Sequence, residues 1–218
     1  MRTAIHAEAR RNMVGNQLRA NTVTDSALLA VMGELPREAF LPAALAGCAY
    51  VDEDVKLGHG RVLMEPMVLA RLIQAAKVAP GDRVLDIGCA TGYSTAVLAR
   101  LAKSVVALES DPVLARQARG ALAGLGITNA TVVEGKLDQG YPPQAPYDVI
   151  LIGGAIEHLP RAISGQLAQG GRVVAVLAAR GRTGKASLYT GRPLTRVMLF
   201  DAATGLVPGF ADEPSFVF

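Results

Sequence analysis

The sequence predicts an α/β fold: a mostly parallel, seven-stranded sheet flanked by helices and preceded by a helical extension. Three features carry that expectation. Beyond Pro80, short apolar runs alternate with helical patterns, as in repeated βαβ units. The first such run, Val84-Leu85-Asp86-Ile87, passes through a glycine-bearing turn directly into a helical pattern. After Gly181, two further runs flank a Gly-Arg-Pro turn and read as a hairpin closing the sheet.

Taken in order, Ala4 to about Leu35 is helical. Met13, Val14, Gln17 and Leu18 share a face, and a second run of Leu28, Leu29, Met32 and Leu35 follows the capping candidates Thr24 and Asp25. Pro36 and Pro42 stop it. The segment AYVDEDVKLGHGRVLMEP, ending at Pro66, is rich in glycine and charge and reads as an ordered loop or short hairpin. Gly58 and Gly60 suit its turn, being free of the steric limits on φ. Met67 to Lys77 sets Leu69, Leu72, Ile73 and Ala76 on one helical face, ended by Pro80-Gly81. Parallel strands are expected at Arg83–Ile87, Ser104–Leu108, Ala130–Glu134, Tyr147–Ile152 and Arg172–Leu177, with helices at Tyr93–Leu101, Pro112–Ala123 and Leu159–Ala168. Asp111-Pro112 is a helix start, an N-cap followed by proline at the first position, and Gly124 and Gly126 supply the stop. The hairpin strands are Ala186–Thr190 and Leu194–Asp201. Residues 1–80 are thus an N-terminal helical extension and loop segment belonging to the same domain as the core at 81–218.

At 218 residues, half of them hydrophobic, one core suffices, since a domain of this size buries about 70% of its unfolded surface. The balance of 22 basic against 19 acidic residues is too even to imply a nucleic-acid partner. Cys48 and Cys89 lie far apart without metal-ligand spacing, which argues against a disulfide framework or metal site and for a reducing, cytoplasmic compartment. The charged N-terminus lacks the apolar segment of a signal peptide, and no apolar run is long enough to span a membrane. A soluble monomer or homodimer is the expectation.

The turn Gly88-Cys89-Ala90-Thr91-Gly92-Tyr93 carries the chemistry. In a parallel sheet it lies at the carboxyl ends of the strands, where ligands bind, and Gly88 and Gly92 allow close backbone approach. The next strand ends in Glu109, whose carboxylate suits the two hydroxyls of a ribose. A nicotinamide fingerprint would require glycine at Ala90 and a small residue at Tyr93, so that cofactor does not fit. Asp86 instead favours a cationic nucleoside, and S-adenosylmethionine brings both a sulfonium and an ammonium.

Met13 with Gln17-Leu18, Pro36-Arg37-Glu38-Ala39-Phe40-Leu41-Pro42, Ala49-Tyr50-Val51-Asp52, Gly58-His59-Gly60, Pro66, VLDIGCATGYSTAVLARL, Glu109 and Gly170-Gly171 together resemble the protein-L-isoaspartate O-methyltransferase family over roughly residues 10–180. The resemblance implies a Rossmann-like methyltransferase fold, S-adenosylmethionine as methyl donor with S-adenosylhomocysteine as product, and a peptide or protein carboxylate as acceptor. It assigns the cofactor to Asp86, Gly88, Cys89, Gly92, Tyr93, Glu109, Gly135, Lys136 and Leu137, and the substrate to His59, Gly60, Leu63 and Met64. Met64 and Glu65 stand at the family's reacting positions, and His158, just beyond the fourth strand, is a candidate base. The family carries hydroxyls before the proline, its serine touching substrate, where this chain reads Arg61-Val62-Leu63-Met64-Glu65-Pro66. Its Gly-Asp-Gly after the third strand is here Gly135-Lys136-Leu137. Orienting the acceptor carboxylate is the protein's task, which turn amides and a hydroxyl would serve. Two alternatives stand beside repair methylation: a methyltransferase with another acceptor, using Glu65 or Glu157-His158 as base, and a non-catalytic cofactor-binding module.

Overall fold

The structure is a computed structural model that describes residues 2–179 and 182–210. The extension begins with α1 (Arg2–Asn12), which widens into a π-helical turn at Met13–Leu18 and tightens again at Arg19–Asn21. Thr22 turns left-handed at φ 63° and ends this run, and Asp25, one of the two capping candidates, restarts the chain as the N-cap of α2 (Ser26–Glu34). Its Oδ1 accepts from the Leu28 amide at 3.0 Å. Two short 3₁₀ segments, Arg37–Phe40 and Ala43–Cys48, lead to a hairpin of β1 (Val55–Gly58) and β2 (Arg61–Leu63), separate from the main sheet. Of the two readings of this segment, loop or hairpin, the second holds.

Helix α3 (Pro66–Ala76) buries Val68, Leu69, Leu72, Ile73 and Ala76, each large aliphatic contributing about 1.5–3 kcal/mol. The core then alternates β3 (Arg83–Ile87), α4 (Tyr93–Leu101), β4 (Ser104–Glu109), α5 (Pro112–Gly124), β5 (Ala130–Glu134), β6 (Tyr147–Ile156), α6 (Arg161–Ser164) and β7 (Leu167–Leu177). It closes with the hairpin β8 (Gly184–Thr190) and β9 (Thr195–Ala202). The seven-stranded sheet runs β5-β4-β3-β6-β7-β8-β9. Its first five strands are mutually parallel, and the two pairings that add β8 and β9 are antiparallel, so that β8 alone runs against the rest.

The expected helix at Leu159–Ala168 is only the four residues of α6, and β7 starts at Leu167 instead of Arg172. Gly165 ends the helix, and Gln166, in the turn that follows, is held by its own side chain, which donates to the Gln139 and Ala162 carbonyls at 2.7 and 2.8 Å. The Gln166 carbonyl accepts the Tyr147 amide, which pairs β7 with β6 five residues early. The tail is tied down at Phe210, which is buried; the Phe-Val-Phe end lies outside the described residues. Cys48 is exposed and Cys89 buried, both as free thiols. No helix among the described residues is long and apolar enough to cross a membrane.

Candidate functional site

Because β4 and β6 lie on opposite sides of β3, the chain direction of crossover reverses there, and a crevice opens at the carboxyl ends of β3 and β6. Gly88 and Gly92 turn through it at φ 73° and 94°, and Ala90 follows at φ 49°, a left-handed geometry that costs a non-glycine residue about 1 kcal/mol. The missing second glycine of the motif is thus borne as backbone strain. Gly153 presses on this turn from β6: a methyl group there would lie 2.5 Å from the Gly88 carbonyl oxygen.

Glu109, fully buried, braces the turn. Its Oε2 accepts the Ala90 amide at 2.8 Å, while Oε1 accepts the Ser110 and Asp111 amides at 2.8 and 3.2 Å and the Ser110 hydroxyl at 3.3 Å. A carboxylate offers about four acceptor sites, two on each oxygen. Oε1 is therefore saturated and a single site remains on Oε2, one fewer than the two ribose bonds expected from the sequence. The Arg61 guanidinium faces that site, with Nη2 at 3.5 Å. The same Nη2 donates a short hydrogen bond to the Gly88 carbonyl.

Asp86 sits beneath the turn. Its Oδ2 accepts the Ser94 and Thr95 hydroxyls of α4 at 2.7 and 2.6 Å. Its Oδ1 is buried and without a hydrogen-bond partner, an orphan acceptor that an ammonium group would satisfy. Burial pushes this carboxyl up to about 6, against the pull of the two hydroxyls. A remaining acceptor site on Glu109, a partnerless oxygen on Asp86 and glycines in the left-handed region at positions 88 and 92 together fit a cationic nucleoside.

Gly135, Lys136 and Leu137 follow β5 beside this carboxylate, the Gly135 amide donating to the Glu109 carbonyl at 3.1 Å. Leu137 is buried and Lys136 exposed. Tyr93 is fully buried, meeting Phe40 edge to face at 5.4 Å with the Arg37 guanidinium 4.8 Å from its ring. It both packs and, with Leu63, Met64, Gly88, Cys89 and Gly153, lines a cavity of about 20 Å³. Met64 likewise belongs to the core while walling this cavity, and its carbonyl accepts from Arg37, whose Nε donates to the Ala49 carbonyl at 2.6 Å.

Glu65 points elsewhere. It caps α3, its amide donates to Asp54 Oδ1 at 2.8 Å, and burial, reinforced by Asp52 and Asp54, pushes its carboxyl up to about 7. His59, at the exposed tip of the hairpin beside Gly60, clasps Asp111 with Nδ1 2.8 Å from Oδ2. The Leu114 amide, more than this histidine, holds Asp111 below its ordinary value. His158 is exposed in the bend after β6 and lines none of the cavity. Four of the turn amides expected to orient an acceptor are engaged: those of Gly88 and Cys89 by the Leu108 carbonyl, Ala90 by Glu109, and Gly92 by the Cys89 carbonyl. Two polar groups escaped sequence reasoning. The Thr91 hydroxyl is buried without a partner, and Arg61 lies inside the crevice. Strand alternation carried the signal for the second, since Arg61 shares the inward face of β2 with Leu63.

A family model described as protein-L-isoaspartate(D-aspartate) O-methyltransferase matches residues 8–189. Protein-L-isoaspartate O-methyltransferase 1 of Rhodopseudomonas palustris is 44% identical over 168 residues, covering 77% of this chain and 69% of that protein. The protein of the same name from Methanoculleus marisnigri is 40% identical over 171 residues, 78% of each. A solved protein-L-isoaspartate O-methyltransferase superposes on 92% of this chain with a TM-score of 0.81 and 26% identity, and the chain spans 66% of its length. A structure from Plasmodium falciparum, described as such an enzyme in complex with S-adenosyl-L-homocysteine, superposes with a TM-score of 0.77 at 19% identity, over 92% of this chain and 97% of that one.

Proposed function

Because the chain belongs to the protein-L-isoaspartate(D-aspartate) O-methyltransferase family, we propose that it transfers the methyl group of S-adenosylmethionine to the side-chain carboxylate of isoaspartyl residues in peptides or proteins. The observation that carries this is the polar inventory of the crevice: a remaining acceptor site on Glu109 and a partnerless Asp86 oxygen at the glycine turn. Bound there, the cofactor supplies a sulfonium-activated methyl group. Glu109 would hold the ribose, Asp86 the ammonium, and Gly135, Lys136 and Leu137 the edge nearest the adenine. The acceptor carboxylate is already ionised at neutral pH, so no base is required, and the exposed His158 has no proton to remove.

Orientation falls to the wall formed by Leu63 and Met64, with His59 and Gly60 at its rim. Met64 cannot donate a hydrogen bond, and Glu65, set beside Asp52 and Asp54, is no part of the cavity lining. With four turn amides engaged, the chain has fewer donors for a carboxylate than a serine would give it. Slow turnover is the expectation. A reducing, cytoplasmic location suits its two free thiols, and residues 1–80 act as part of the same domain.

The test is methyl transfer from labelled cofactor to an isoaspartyl peptide, with the aspartyl peptide as control. Methylation of the first alone supports the assignment; cofactor binding without it would remove the isoaspartyl acceptor. Met64→Ser should raise kcat/KM by about tenfold, one hydrogen bond to a charged group being worth about 1.5–3 kcal/mol. No gain would show that this position does not orient the acceptor.

A further inference from the structure

Arg61 has no part in the chemistry above, yet its side chain is 3% exposed and fills the middle of the crevice. We infer that Arg61 is a built-in competitor of the cofactor, a guanidinium carried by the β1–β2 hairpin that must leave Glu109 when the ribose arrives. The inference rests on the cofactor assignment of the preceding section.

Four observations converge. Glu109 has one open acceptor site, on Oε2, and Arg61 Nη2 covers it. Gly88 clears space that a side chain would fill, and Nη2 occupies that space, 2.5 Å from where a methyl group on Gly88 would sit. The cavity on the Met64 and Tyr93 side of Gly88, lined by neither Arg61 nor Glu109, is about 20 Å³, far below the about 300 Å³ typical of small-molecule sites. The guanidinium is only partly satisfied: Nη2 donates to the Gly88 carbonyl, but Nε is buried with no hydrogen-bond partner and the contact to Glu109 is long. Leaving the crevice recovers the desolvation cost of the unmade Nε bond, which offsets part of what the Gly88 and Glu109 contacts contribute.

The carrier is suited to movement. β1 and β2 form an isolated pair of four and three residues, and two-stranded hairpins are marginal by themselves. The His59–Asp111 clasp at the tip is partly exposed, so water competes for it. Position 61 holds a strong hydrogen-bonding cation where a neutral residue would leave Glu109 open.

Binding of S-adenosylhomocysteine, followed by calorimetry on the full chain, tests this without turnover. Arg61→Gln should bind about tenfold more tightly, the factor lost when the competing form holds about nine-tenths of the population. Arg61→Lys keeps the charge and should stay within about threefold of the unsubstituted protein. Equal or weaker binding by a folded Arg61→Gln, or equal tightening by Arg61→Lys, would overturn the competition while leaving the cofactor assignment intact. If neither protein binds, the assignment itself falls. Hydrogen exchange on the unsubstituted chain gives a check that needs no variant: ligand should deprotect the amides of residues 55–63, and unchanged or increased protection contradicts displacement of the hairpin.

Discussion

At the scale of single residues, the acidic groups around the crevice set how stability depends on pH. Asp86 and Glu65 rise from ordinary values of 3.8 and 4.5 to about 6 and about 7, in both cases first through burial. A carboxyl whose folded pKa lies above its unfolded one holds extra protons in the folded state between the two values. Its ionisation therefore opposes folding: the penalty is absent below about pH 4, grows through the window and is complete above about pH 7. Stability should fall as pH rises across that range. Asp86→Asn keeps an oxygen for the Ser94 and Thr95 hydroxyls while removing the titration, so urea unfolding at several pH values should show a flatter slope and no loss of stability at about pH 8. An unchanged slope would mean that Asp86 is not the buried acid responsible. Arg61 shows what residue-level reading misses. A buried arginine is tolerable only with partners, and these, Glu109 and the Gly88 carbonyl, come from elsewhere in the chain.

At the scale of elements, the sequence was most legible where a strand runs into a helix without interruption. β3, β4 and β5 fall within one residue of their expected bounds, and α4 and α5 likewise, because apolar runs and an Asp111-Pro112 start are local signals. The stretch from Leu159 to Arg172 was not legible. Its apolar residues suit a helix, but the competing bonds of Gln166 come from residues over twenty positions away. The widening at Met13–Leu18 was hidden for a similar reason: the Gln17 side chain bonds the Tyr50 carbonyl at 2.8 Å, far along the chain. The site itself is made where elements touch. Gly153 of β6 leaves no room for a methyl group against the Gly88 carbonyl, a backbone atom that cannot swing aside. Gly153→Ala should therefore cost about 1–3 kcal/mol in chemical denaturation, as overpacking does, and weaken S-adenosylhomocysteine binding because the turn must shift. Stability loss with intact affinity would show that the strain relaxes away from the cofactor turn.

At the scale of the whole molecule, the extension and the core share one hydrophobic interior. Met13, Leu28, Met32 and Leu69 pack in a single buried cluster with Val84, Tyr93 and Val97, so neither part retains its apolar burial without the other. The division at residue 80 is then a boundary in pattern, from bundled helices to βαβ units, and unfolding should be one cooperative event. The chain has no tryptophan and five tyrosines, with Tyr50 in the extension and Tyr93 and Tyr147 in the core. Tyrosine fluorescence and far-ultraviolet dichroism should trace coincident transitions, whereas a folded core surviving loss of the extension would separate them. Ligand linkage sharpens the same test: at about one hundred times its Kd, S-adenosylhomocysteine should stabilise the entire chain by about 2.7 kcal/mol. That gain should appear equally in both probes, because the crevice is walled by β2 of the extension as well as by the turn after β3. A gain confined to one probe would mean that the extension is not coupled to the cofactor turn, and with it would go the reason for reading residues 1–80 as part of the catalytic body.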